Sequence, residues 1–182
     1  ARVKAAREVT VPLAFSKCES EHRYKNFDMA AYTLQHPNHP GLNTKEWDVS
    51  KFSEFYFDDT DVYKTIEGAS YILQTYPDKK LKAYIDSVLD VVGAAQEPDG
   101  YLYTARTINP QHPHGWSGNK RWVKDEELSH ELYNLGHMVD AACAHYQATG
   151  STKFLNIAKR YADCVVKEVG PKPGQATIVP GH

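Results

Sequence analysis

Residues 129–146 read SHELYNLGHMVDAACAHY, and the periodicity of this stretch decides the fold. Leu132, Leu135, Val139, Cys143 and Tyr146 recur at three- and four-residue steps, the spacing of one face of an α-helix. His130, Asn134, His137 and Ala141 recur on roughly the opposite side. A solvated helix face usually carries long charged side chains. A face of imidazole, amide and small residues, continued by Ala144 and Ala148, instead suits the wall of a cavity that takes a polar guest.

Working outward, the spacing predicts a helix over 126–149 that Gly150 closes. Ser151 then caps a helix over 152–169, with Phe154, Ile157, Ala158, Tyr161 and Val165 as its stripe. Upstream, 57–76 keeps a helical period through Val62, Ile66, Ala69, Ile72 and Leu73, and Pro77 stops it. Asp78 caps a second helix over 79–96, with Leu81, Ile85, Val88, Leu89 and Val92 inward. Helices joined so tightly must run antiparallel. Residues 1–21 are also expected to be helical, with Thr10 as cap and Pro12 in the first turn. The segment 19–51 reads as irregular, and its HPNHPGLN run marks a loop. Pro98-Asp99-Gly100 sets a turn, and 104–123 is a long loop carrying His112, His114, Trp116 and Trp122.

The fold class that follows is all-α. The two hairpins repeat: Val62-Tyr63-Lys64 falls on Leu132-Tyr133-Asn134 and Glu67 on His137, 70 residues later. Repeated hairpins bury their faces only against neighbours, so they stack into a superhelix or close into a ring. Tetratricopeptide spacing is too short to match. Antiparallel hairpins this long favour part of an (α/α)6 barrel, a toroid, and these helices are too few to close one. The chain is therefore expected to be an incomplete, N-terminal portion of a longer domain.

The 182 residues are 41% hydrophobic and 24% charged, with a formal net charge of -2. That composition is globular and offers no basic field for nucleic acid. No apolar run approaches the roughly 20 residues of a membrane span. The opening ARVKAAREV lacks the apolar core of a signal peptide, which leaves a cytoplasmic protein or one whose leader was removed. Three dispersed cysteines make neither a disulfide framework nor a paired-cysteine metal site. Cys143 and Cys164 lie on apolar faces and are expected to be buried. His36 and His39 lack Cys or carboxylate partners and read as solvated loop residues.

The motifs FDDTDVYKTIEGASYIL (57–73), AAQEPDGYLYT (94–104), SHELYNLGHMVDAACAHYQATG (129–150), FLNIAKRYADCV (154–165) and PGH (180–182) occur here in order. This arrangement resembles glycoside hydrolase family 127 and the related family 146, the β-L-arabinofuranosidase-type enzymes. VPLAFSKCESEHRYKNF (11–27) is similar to their opening helix, so the likeness runs from about Val9 to the end. The resemblance implies an (α/α)6-barrel catalytic domain followed by β-sandwich domains. It also implies a retaining mechanism with a cysteine nucleophile, a glutamate acid/base and a zinc ion held by cysteines and a glutamate. All of these lie beyond residue 182, so this segment is expected to supply no catalytic residue, no metal ligand and no turnover alone. Its partners would be an arabinose-containing glycan and the remainder of its own catalytic domain.

The resemblance makes His130 and His182 the pair that hydrogen-bonds the arabinose ring, with His137 a neighbour. A neutral imidazole donates from one nitrogen and accepts at the other, as sugar hydroxyls require. Binding of one metal ion by His130 and His137 is disfavoured, because seven residues of helix separate them by roughly 10 Å. The alternative for His130 is a helix-start residue that bonds backbone. Glu131 either touches sugar or orients the imidazole. Trp116 and Trp122 either stack on a sugar face or anchor the loop. Asp58, Asp59 and Asp61 read as helix-start caps rather than an acid/base pair. Two other functions remain open: a six-hairpin enzyme resembling unsaturated uronyl hydrolases, and a non-catalytic helical-repeat binding module.

Overall fold

The computed structural model describes residues 2–38 and 55–179. α1 (Arg2–Ala5), a π-helical stretch (Ala6–Thr10) and α2 (Val11–Ser20) form one continuous rod. Pro12, which lacks an N–H to bond backward, accounts for the widened turn before it. Thr10 does not cap: it is helical, at φ -66° and ψ -50°.

α3 (Arg23–Gln35) replaces the irregular segment predicted there. Asn26, Phe27, Met29, Ala30, Ala31 and Thr33 are all buried, around most of its circumference. A helix covered on several sides shows no single apolar stripe, and that is why its sequence reads as loop.

α4 (Asp59–Thr75) and α5 (Lys79–Ala94) form the first predicted hairpin. The Asp78 side chain accepts from Lys80 N at 2.8 Å and Leu81 N at 3.1 Å, capping α5 as expected. α7 (Glu131–Thr149) and α8 (Lys153–Glu168) form the second. Gly150 closes α7 at φ 69°, and the Ser151 hydroxyl takes Lys153 N at 3.4 Å. Between the hairpins lie α6 (Thr104–Thr107) and a 3-10 turn (Gly115–Ser117). α2 packs on α4 and α4 on α7, while α3 packs on α5 and α5 on α8. The helices thus stand in two rows, one made of first members of hairpins and one of second members. Among the described residues there is no sheet, only an isolated bridge between Val169 and Ala176. None of the described helices is long and apolar enough to cross a membrane.

Burial corrects the reading of α7. Its core face is Glu131, Asn134, Met138, Ala141, Ala142 and His145. The stripe taken for the core is less covered: Leu132, Leu135 and Val139 are half-buried, and Cys143 and Tyr146 are exposed. Cys18 and Cys164 are buried. The expected cavity face divides, with Asn134 and Ala141 in the core and His130 and His137 half-buried outside it. Small side chains decide this: Ala141, Ala142 and Ala144 let neighbouring helices approach closely, which bulkier residues prevent.

The repeat survives with a changed register. On α4 the buried set is Asp59, Val62, Ile66, Ala69, Ser70 and Leu73, among others. Each lies 72 residues (131 − 59) before a buried residue of α7, in order. The 70-residue offset instead pairs Tyr63, which is fully buried, with the half-buried Tyr133.

The Pro98-Asp99-Gly100 turn forms as predicted. Asp99 Oδ1 accepts from Tyr101 N at 3.2 Å. Gly100 has φ 99°, and a Cβ there would lie 2.1 Å from the Arg160 carbonyl oxygen. Only glycine fits both the angle and the approach.

Candidate functional site

Two carboxylates that the fold removes from water frame the site. Glu131, the first residue of α7, has no solvent exposure. Its Oε1 accepts from the Tyr101 phenol at 2.6 Å and from Trp122 N at 3.2 Å. Its Oε2 accepts from Trp122 N at 2.9 Å and Ser129 Oγ at 2.7 Å. Burial pushes its pKa up to about 7, against the pull of these donors. Asp59, the first residue of α4, accepts from Thr104 N at 2.9 Å and Thr104 Oγ1 at 2.6 Å. Burial likewise raises it to about 7. It is therefore neither a cap nor an exposed acid. Asp58 and Asp61 do not form an acid/base pair with it; both pair with Arg23, at 3.3 and 2.9 Å.

Above these carboxylates runs a row of rings. Trp116 lies 4.7 Å from Tyr56, and Tyr56 lies 5.1 Å from His130, centroid to centroid. Phe57 and Tyr133 each lie 5.4 Å from His130, and Tyr133 lies 4.6 Å from His137. The Lys64 ammonium donates to the Tyr133 phenol at 2.6 Å. Trp116 is exposed, Phe57, His130, Tyr133 and His137 are half-buried and Tyr56 is buried. Rings that reach the surface beside oriented polar groups suit a ligand that is apolar on one side and hydroxylated on the other.

The His130 geometry is unusual. Its backbone is left-handed, φ 59° and ψ 30°. Its Nδ1 lies 2.6 Å from the Leu128 carbonyl, which can only accept, so Nδ1 carries the proton. In the neutral ring Nε2 is then the acceptor. The backbone bond expected as the alternative for His130 is thus present. His137 has its pKa lowered by burial and then by Lys64.

The structure brings together three residues singled out from sequence: His130, His137 and the exposed Trp116. Glu131 lies beneath them with its oxygens engaged and does not reach the surface. His182 and His39 lie outside the described residues. Trp122 anchors the loop: it is buried, donates from Nε1 to Glu168 at 2.7 Å and meets Tyr101 edge-on at 5.5 Å. Sequence reasoning missed Tyr56, Phe57, Tyr133 and Lys64. In the 72-residue register Tyr56 and Phe57 fall on Leu128 and Ser129, just ahead of His130, and that register would have exposed their place.

One cluster of metal-type donors occurs among the described residues: Asp99, Cys164 and Glu168, with ligand atoms within 4.8 Å of one another. A guanidinium already sits among them. Arg121 bonds Asp99 at 2.6 Å, Glu168 at 2.8 Å and Glu97 at 2.6 Å, and stacks 4.0 Å from the Tyr101 ring centroid. Burial pushes the Cys164 thiol up to about 12, away from the thiolate that zinc needs. These residues do not fit a zinc site.

Two rows of antiparallel hairpins define part of an α-helical toroid. More narrowly, the chain belongs to glycoside hydrolase family 127, whose beta-L-arabinofuranosidase catalytic-domain model matches residues 1–182. It is 39% identical over 132 residues to the non-reducing end beta-L-arabinofuranosidase of Bifidobacterium longum subsp. longum, covering 72% of this chain and 20% of that protein. It superposes on a solved GH127 beta-arabinofuranosidase with TM-score 0.88 and 63% identity, over 100% of this chain and 26% of the other. A GH127 beta-L-arabinofuranosidase from Geobacillus stearothermophilus T6 matches with TM-score 0.82 and 31% identity, at the same coverages of 100% and 26%. The chain thus spans a fifth to a quarter of the length of these relatives.

Proposed function

We propose that this segment is the sugar-binding N-terminal portion of a retaining exo-acting glycoside hydrolase that releases L-arabinofuranose from glycans. The observation that carries the reading is the row Trp116–Tyr56–His130–Tyr133–His137. It supplies the exposed Trp116 and the half-buried ring of Tyr133 for the apolar side of a furanose, and at His130 an imidazole fixed by its Nδ1 bond to the Leu128 carbonyl. Lys64 and Tyr133 add an oriented donor pair beside it. His182 is the expected second histidine of the sugar site. Glu131 acts from below as support rather than as a sugar contact.

The segment works with the remainder of its own catalytic domain. The nucleophile, the acid/base and the zinc ligands belong to that remainder, in keeping with the poor fit of the Asp99–Cys164–Glu168 cluster to zinc. In the full-length protein, an aryl β-L-arabinofuranoside should be hydrolysed, and His130→Ala should reduce kcat/KM by about a hundredfold or more. Residues 1–182 alone should give no turnover. Cleavage of an unsaturated uronide but not of the arabinofuranoside would refute the reading, as would full activity in His130→Ala.

A further inference from the structure

The segment 101–104 is buried throughout: Tyr101, Leu102 and Tyr103 have no solvent exposure and Thr104 only 2%. Its polar groups bond both site-bearing helix starts. The Tyr101 phenol reaches Glu131, and the Tyr103 phenol donates to the Ser129 carbonyl at 2.5 Å. Thr104 gives two hydrogen bonds to Asp59. Asp59 and Glu131 are the repeat-equivalent first residues of α4 and α7. Tyr56 and Phe57 lie three and two residues before Asp59, and Ser129 and His130 lie two and one before Glu131.

Strain falls at the same place. Trp122 (φ 70°) and His130 (φ 59°) are left-handed residues with side chains, at the two ends of the loop 122–130. Such a conformation is costly for a residue with a side chain and persists where its surroundings enforce it. Here one carboxylate enforces both. Glu131 accepts the Trp122 N–H with both oxygens, and it holds Ser129, the neighbour of His130, through Oγ.

We infer that the segment 101–104 is a positioning bar, to which Asp59 and Glu131 dock the two halves of the sugar wall, setting the distance and angle between the Tyr56–Phe57 rings and the His130 imidazole. The inference deepens the proposed sugar site and rests on that reading. Asp59 and Glu131 are positioning residues that act through the rings and the imidazole without touching ligand. A buried carboxylate is expensive to desolvate, and here its bonds go to the residues that set the geometry of the neighbouring histidine.

The test uses the full-length protein and an aryl β-L-arabinofuranoside. Glu131→Gln and Thr104→Val should keep the native circular dichroism and raise KM about tenfold or more, with a smaller change in kcat. The double variant Glu131→Gln/His130→Ala should bind no worse than His130→Ala, because the carboxylate acts through the imidazole. Effects of the two single changes that simply add would overturn the inference. Ser129→Ala removes only one donor to Glu131 and carries the same cycle if Glu131→Gln does not fold. Histidine-ring NMR gives a readout that needs no turnover. The His130 signal, assigned by its loss in His130→Ala, should move in both Glu131→Gln and Thr104→Val, and an unmoved signal overturns the positioning role. A wild-type protein inert toward the arabinofuranoside, with the signal moving as expected, refutes the substrate and leaves the positioning role standing.

Discussion

Replacing Glu131 by Gln should change how stability depends on pH. The Glu131 carboxyl is fully buried, and its pKa rises from the ordinary 4.5 to about 7. In the unfolded chain it returns to the ordinary value. Between those two pH values the folded state therefore holds a proton that the unfolded state has released, and stability falls as pH rises. The slope is about 1.4 kcal/mol per pH unit for one group, and the whole window is worth at most about 3 kcal/mol. The contribution is fully present below pH 4.5 and lost as pH passes 7. Asp59, also raised to about 7, acts in the same direction and remains in the variant.

Gln has the shape of the protonated acid and no charge to desolvate. Its carbonyl can keep the bonds from Tyr101 and Trp122, but its amide nitrogen cannot accept from Trp122 N or Ser129 Oγ as Oε2 does, so the fold is kept while the hold on Ser129 is loosened. Stability of Glu131→Gln relative to wild type should therefore shift in favour of the variant by up to about 3 kcal/mol between pH 4.5 and pH 8. Urea unfolding followed by circular dichroism at several pH values measures this. A difference independent of pH would mean that the four bonds from Tyr101, Trp122 and Ser129 keep the carboxylate ionised throughout, and that burial is not the dominant influence.

Two further changes probe the frame. Asp78→Ala removes the acceptor for two N–H groups at the start of α5 and should cost about 1 kcal/mol, read as a lowered thermal midpoint. Arg121→Met strands Glu97, Asp99 and Glu168 without their shared cation. Because these groups are partly solvated, the loss should be about 2 kcal/mol rather than that of a sealed pair, and it should shrink in high salt. An Arg121→Met protein as stable as wild type would show that the cluster merely decorates the surface.

The helices α4, α5, α7 and α8 were legible because their stops and starts are chemically explicit. Pro77 and Asp78 separate one pair, and Gly150 and Ser151 the other. α3 was not legible, because a helix buried around most of its surface has no polar face to mark its period. The site was half legible: His130 and Trp116 stand out by residue type, and His137 by its spacing. Tyr56, Phe57 and Tyr133 look like ordinary core aromatics until the rows bring them alongside His130.

Local chemistry along the chain thus determined α4, α5, α7 and α8, their antiparallel pairing and the family. Only the tertiary structure decided which face of α7 is buried, since that depends on the small residues of one helix meeting those of another. It also decided the roles of Asp59 and Glu131. A carboxylate at a helix start reads as a cap so long as water can reach it. It becomes a buried anchor, with pKa near 7, only once residues 101–104 close over it.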